Sequence, residues 1–279
     1  MQFVMAFKII GVLLILFSTT MLPSLFLGLV ANDGSESAFA TGFAATLLAG
    51  ITLWLPSRHM SRDLNIRDGF MVTALFWVVL GLFGAIPLWL APELSLTPAE
   101  AIFESMSGLT TTGATIIQDL DNTAKSILLW RAMLQWLGGI GIIVIAIAIF
   151  PILKIGGMQL FQTEFSSKNE KVLPRTTQIA AAIGLIYLLL TILCSFFLYS
   201  TGLSIFDSLA HGMTIIATGG FSTKNMSIGF FDSISTEIVV MTFMIISSLP
   251  FILIFQSVRK TNGELFNNSQ VQFFLGLNV

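Results

Sequence analysis

Long apolar runs alternate along the chain with short polar stretches, and six runs approach or exceed the roughly 20 residues that a helix needs to cross a hydrocarbon layer. They cover about 9–30, 38–56, 69–91, 126–153, 178–200 and 232–257, read as membrane spans. The first outruns the roughly 7–15 apolar residues of a signal peptide, and Leu22-Pro-Ser leads on into further apolar sequence. Between the third and fourth runs, and again between the fifth and sixth, lie segments too short to span: Thr97 to Gly108 and Ser204 to Thr214. Both open with helix-start signals. Thr97 is followed by Pro98 and, three residues on, Glu100; Ser204 is followed by Asp207. These are predicted half-helices that enter from one side, and the Thr/Gly stretch behind each must turn the chain back.

The turning stretches repeat. Phe103-Glu-Ser-Met-Ser-Gly-Leu-Thr-Thr-Thr-Gly-Ala-Thr115 recurs, at an offset of 107 residues, within the stretch that includes His211-Gly-Met-Thr-Ile-Ile-Ala-Thr-Gly-Gly-Phe-Ser-Thr223. Without a gap, Met106 falls on Met213, Thr111 on Thr218 and Gly113 on Gly220, with Glu100 on Asp207 and Ser107 on Thr214 as near matches. The predicted organisation is a duplication. Residues 1–60 form an N-terminal helix pair, 61–160 a first helix–loop–helix unit, 161–260 a second, and 261–279 the start of a third.

Composition places this pattern in a bilayer. With 55% hydrophobic and 10% charged residues and a mean hydropathy of +0.89, the expectation is an all-α polytopic membrane protein. A net charge of −2 offers nothing to a nucleic acid. Charge placement, with loops assigned alternately, sets orientation: Lys8, Arg58, Arg62, Arg67, Lys154, Lys168, Lys171, Arg175, Arg259 and Lys260 share one side, which the positive-inside rule makes cytoplasmic together with the N-terminus. Lys125, Arg131 and Lys224 fall outside, with Asp33, Glu36, Glu93, Glu100, Glu104, Asp119, Asp121, Asp207, Asp232 and Glu237. An outer face this acidic would concentrate cations, unless these residues merely solvate loops. The single cysteine, Cys194, excludes a disulfide scaffold and a cysteine metal site and is read as a packed small residue.

Non-helical backbone at membrane depth is tolerated only where it is buried in protein or lines a watery cavity. Thr110-Thr-Thr-Gly113 and Ala217-Thr-Gly-Gly220 are therefore candidates for cavity-lining backbone. Glycine permits the positive φ that turns carbonyls toward one axis, and threonine adds a hydroxyl oxygen. Rings of such oxygens replace the water shell of potassium, and the C-terminal ends of inward-pointing half-helices favour a cation. Tight packing through small residues is the alternative, and the better reading for Gly138-Gly-Ile-Gly141 inside a continuous apolar run. His211 is read as hydrogen-bonded rather than as a relay or ligand, and Lys154 with Gly156-Gly157 as a cytoplasmic helix end. An intramembrane hydrolase would need Ser107 or Ser222 with His211. The strained Gly-x-Ser-Gly turn is missing, so the chain is not read as an enzyme.

Taken with Leu134-Gln-Trp-Leu-Gly-Gly-Ile-Gly-Ile-Ile143, Gly156-Gly-Met-Gln-Leu160 and Ser227-Ile-Gly-Phe-Phe-Asp232, these segments resemble the TrkH family, membrane subunits of bacterial Trk-type potassium uptake systems in the wider Trk/Ktr/HKT superfamily. The resemblance implies four helix–pore loop–helix units around one pseudo-fourfold pore in the bacterial inner membrane. It makes Thr111, Thr112 and Gly113, and Thr218, Gly219 and Gly220, filter positions, with Thr111, Thr112, Thr218 and Gly219 holding the potassium ion. It further implies no organic cofactor, a homodimer in the lipid bilayer, and a TrkA-like cytoplasmic nucleotide-binding regulatory subunit as partner. Channel-like transport and ion symport both stay open. The chain carries two of the four units. Hence the expectation is the N-terminal part of a longer protein, with pairing of two copies or a non-conducting assembly partner as alternatives.

Overall fold

In a computed structural model the chain is described at residues 3–58, 66–153, 172–251, 253, 254, 257 and 268–277. The loop carrying Lys154 and Gly156-Gly157, and Arg62, Lys168, Lys171, Arg259 and Lys260, lie outside the described residues. The described residues form helices joined by turns and irregular segments, and no strand occurs among them. The helices are α1 (Phe3–Thr19), α2 (Leu22–Ala31), α3 (Glu36–Ser57), α4 (Ile66–Leu90), α5 (Pro98–Leu109), α6 (Lys125–Leu153), α7 (Val172–Ser200), α8 (Ile205–Ile216), α9 (Ile234–Ser247) and α10 (Ser269–Leu277). A 3-10 turn covers Ser227–Phe231.

Two predicted spans are broken. The first run is two helices, α1 and α2, parted at Thr20-Met21. Pro23 has no N–H and its ring displaces the carbonyl of Thr19 four residues back. The hydroxyls of Ser18, Thr19 and Thr20 meanwhile bond the carbonyls of Ile15, Leu16 and Phe17 at 2.6–2.7 Å, competing with the helix ladder. The sixth run ends its regular helix at Ser247, ahead of Leu249-Pro250, where Pro250 supplies no donor. The fourth run, by contrast, is one helix of 29 residues.

By internal contact the chain forms two compact units, Met1–Gly139 with Gly219–Asp232, and Ile140–Thr218 with Ser233–Val279. In the first, α1 crosses α3 where Gly11 meets Gly50: a β-carbon on Gly11 would lie 2.8 Å from the Gly50 carbonyl, and one on Gly50 2.9 Å from that of Gly11. Backbones this close gain dispersion contacts where lipid gives no hydrophobic drive. Trp130 of α6 is fully buried between the rings of Phe17 and Phe39, at 5.6 and 6.3 Å, and its indole N–H donates to the Gly84 carbonyl at 2.9 Å. In the second unit α7, α8 and α9 pack together. Tyr187 and Cys194 of α7 are buried there, the cysteine as a packed small residue.

The start of α6 is held from the α2–α3 corner. Asp33 accepts from the Ser126 N–H at 3.2 Å and from the Ser35 hydroxyl at 2.7 Å. Partial burial pushes the Asp33 carboxyl up, but the bonds from Ser35 and Ser126 together outweigh it and hold it below the ordinary 3.8. A carboxyl held low in the folded chain adds stability above its ordinary value and loses it as pH falls through the lower, folded one. Asp33→Asn is therefore expected to cost about 1 kcal/mol at neutral pH, a figure already discounted for solvent screening of this half-exposed group. Thermal unfolding in detergent should show that gap closing below about pH 4.

Candidate functional site

The half-helices begin as their sequences direct. Thr97 and Glu100 form a reciprocal capping box on α5, the Thr97 N–H donating to Glu100 Oε2 at 2.8 Å and the Glu100 N–H to Thr97 Oγ1 at 3.3 Å. The side-chain and backbone bonds from Thr97 hold the exposed Glu100 carboxyl below its usual range. On α8, Ser204 Oγ accepts from the Asp207 N–H at 3.0 Å.

Their C-terminal ends are more unusual. Beyond α5 the Thr111 N–H bonds the Gly108 carbonyl and the Thr112 N–H the Ser107 carbonyl, both at 2.9 Å, the pair of bonds that defines a Schellman cap. The left-handed residue that such a cap requires is ordinarily glycine; here it is Thr111, at φ +53°. Thr218 takes the same place after α8, at φ +52°, with its N–H on the Ile215 carbonyl at 2.9 Å. Two residues on, Gly113 and Gly220 are again left-handed, at +78° and +82°. Left-handed backbone costs a β-branched residue about 1–2 kcal/mol, so its recurrence at both returns marks a conformation kept for a purpose. Sequence reasoning placed positive φ on glycine alone and missed the threonines.

Thr112, Thr218 and Gly220 are exposed, Thr111 and Gly113 half-buried, and Gly219 buried. Gly219 is not left-handed; its bareness serves close approach, since a β-carbon there would fall on the Gln135 amide. A β-carbon on Gly113 would fall on the Gly219 carbonyl, so the first unit brings these two filter positions into contact. Gly138 packs against the Leu109 carbonyl at the end of α5, the packing role read for it from sequence.

Behind the returns lies a buried ion pair. Glu104 and Arg131, both assigned by sequence to the acidic outer face and its cations, are instead sealed off at 0% and 1% side-chain exposure, with Arg131 Nε 2.8 Å from Glu104 Oε1. That expectation is corrected: two bulky charges leave water only when each satisfies the other. Glu104 also accepts from Thr115 Oγ1 at 2.9 Å and the Ile116 N–H at 3.0 Å. Arg131 donates to Thr115 Oγ1 and to the Ser222 carbonyl, each at 3.1 Å, and its guanidinium lies 4.2 Å from the Phe221 ring centre. One side chain thus ties the first return to Ser222 of the second. Further out, Asn225 joins the two loops, accepting from the Leu120 N–H and donating to Asp121, both at 2.8 Å. Glu93, at the rim, is raised by partial burial and by the nearby Asp33 charge.

Ser107 Oγ is buried with no hydrogen-bond partner among the described residues, Ser222 Oγ accepts from the Lys224 N–H at 3.0 Å, and His211 Nδ1 donates to the Asp207 carbonyl at 2.8 Å. Oxygen atoms of backbone and threonine, held by strained turns, are suited to meeting a weakly hydrated cation.

The fold and the paired returns define a helical membrane protein built of helix–loop–helix repeats. The family model for TrkH, described as a cation transport protein, matches residues 35–279, and the chain belongs to that family. It is 43% identical over 274 residues to the Trk system potassium uptake protein TrkH of Halomonas elongata, covering 97% of this chain and 57% of that one. The TrkH protein of Escherichia coli is 41% identical, with 97% and 56% covered. The crystal structure of the potassium transporter TrkH from Vibrio parahaemolyticus superposes with a TM-score of 0.88 at 39% identity, covering 99% of this chain and 56% of that one. The chain spans about half the length of the curated relatives it matches.

Breaking the buried pair from one side leaves an uncompensated charge. Arg131→Met is expected to destabilise the chain by about 3–5 kcal/mol, with Glu104→Leu comparable and the double variant recovering much of the loss. Thermal unfolding of the three in detergent measures the coupling, and additive losses would refute it.

Proposed function

We propose that this chain supplies part of a potassium uptake pathway across the bacterial inner membrane, with Thr111, Thr112, Gly113, Thr218, Gly219 and Gly220 as filter residues. The observation that carries the reading is the shared left-handed backbone at Thr111 and Thr218, and again at Gly113 and Gly220, on two returns related by sequence repeat. Names of the relatives support the ion. In this reading the carbonyl and hydroxyl oxygens of Thr111, Thr112, Thr218 and Gly219 strip water from potassium, drawn inward by a membrane potential worth about 2.3 kcal/mol per charge per 100 mV. The N-terminus is cytoplasmic, and residues 1–60, 61–160, 161–260 and 261–279 are the helix pair, two pore units and the opening of a third. A homodimer and a TrkA-like cytoplasmic nucleotide-binding subunit complete the assembly.

The test is potassium-limited growth of an uptake-deficient bacterium making this chain, alone and together with the C-terminal half of the Halomonas relative. Rescue in either setting, abolished by Gly113→Asp, supports the reading. Absence of rescue in both, with the chain in the membrane, overturns it.

The two glycines separate strain from space. A β-carbon at Gly113 meets both a left-handed φ and the Gly219 carbonyl, whereas one at Gly220 meets nothing within 4 Å. Gly220→Ala is expected to lower uptake by about tenfold, the scale of left-handed strain alone. Gly113→Ala should abolish measurable uptake. Initial rates of rubidium uptake compare them, and equal losses would refute the contact.

A further inference from the structure

Gln135 stands one turn beyond Arg131 on α6 and is fully buried. Its amide orientation is fixed by chemistry: the Phe221 N–H only donates, so the atom 3.0 Å from it is the acceptor Oε1. Nε2 with its two N–H groups therefore points the other way, and among the described residues it has no hydrogen-bond partner. Filter backbone stands before it. A β-carbon on Gly219 would fall on the whole Gln135 amide, with Nε2 2.7 Å away and Oε1 nearer still, and one on Gly113 would lie 3.8 Å from Nε2. Neither position carries a β-carbon to restrict its backbone, and a buried amide left unpaired is a costly feature for a protein to keep without a use.

We propose that Gln135 is a positioning residue for cation selection: Oε1 holds the Phe221 N–H, and Nε2 competes with the ion for a carbonyl of Gly113 or Gly219. A cation of the fitting size draws the carbonyl toward itself and leaves Nε2 unpaired; a poorly fitting one loses the carbonyl to the amide. Selection is then a contest between ion and donor, set by a side chain that never touches the ion. The inference rests on the filter reading above.

The experiment compares inhibition of rubidium uptake by potassium and by sodium in the rescued bacterium, for wild type, Gln135→Glu and Gln135→Met. Glutamate keeps the acceptor for Phe221 and loses the donor; methionine loses both. The expected result is potassium-over-sodium discrimination reduced about tenfold in both variants, the loss of one hydrogen-bonding donor. Wild-type discrimination in either variant that takes up rubidium overturns the inference while leaving the filter reading intact; a wild type that does not discriminate overturns both. Should neither variant reach the membrane, hydrogen exchange at Phe221 in the wild-type chain decides the matter. Protection that differs between potassium and sodium salts supports the contest, and equal protection overturns it.

Discussion

A chain that reverses direction inside a membrane must satisfy its own backbone, because hydrocarbon offers nothing to an exposed carbonyl. Both half-helices end under this constraint. At α5 the returning N–H groups of Thr111 and Thr112 take the carbonyls of Gly108 and Ser107, which forces Thr111 into left-handed backbone. The strain is local, and it leaves the next residues free to present oxygen instead of consuming it. Everything behind the return serves to keep that conformation from relaxing. Glu104 holds Thr115 and Ile116, Arg131 holds Thr115 and Ser222, and Gln135 holds Phe221.

Charge plays a different part from the one that loop counting suggests. An exposed acidic rim would act on cations at long range, attenuated by salt. The Glu104–Arg131 pair is closed to water and neutral as a whole, so its field on the surroundings is that of a dipole, and its work is mechanical: a guanidinium with several donors in a fixed plane bonds to two chain segments at once. Of the remaining acids at the rim, Asp33 lies close enough to Glu93 for its charge to help raise the Glu93 carboxyl, after partial burial.

Local signals were legible wherever the cause lies within a few residues. The capping box at Thr97, the N-cap at Ser204, the packing glycine at Gly138, the helical class and the 107-residue repeat follow from spacing alone. The break at Thr20-Met21 was written in Ser18-Thr19-Thr20 and Pro23, but run length outvoted it. What stayed hidden depends on partners distant in sequence. Glu104 and Arg131 lie 27 positions apart, Gln135 and Phe221 86 apart, and a lone charge or amide in an apolar run reads the same whether it faces water or a partner. The left-handed threonines were illegible for another reason: β-branched side chains disfavour that region, so propensity argues against the very conformation the fold adopts.

On α6, Arg131, Gln135 and Gly138 form one face, at spacings of four and three residues. The repeat that carries Thr111 onto Thr218 carries these three onto Ile238, Thr242 and Ile245. Ile238 is exposed, and the Thr242 hydroxyl is spent on the Ile238 carbonyl of its own helix at 2.7 Å. The duplicated copies therefore agree in the turn itself, left-handed at Thr111 and Gly113 and at Thr218 and Gly220, and disagree in what stands at these positions of the following helix. The two halves of the repeat are therefore unequal: Arg131 and Gln135 of the first bond to Ser222 and Phe221 beyond the second half-helix, so a substitution on this face of α6 reaches past its own copy.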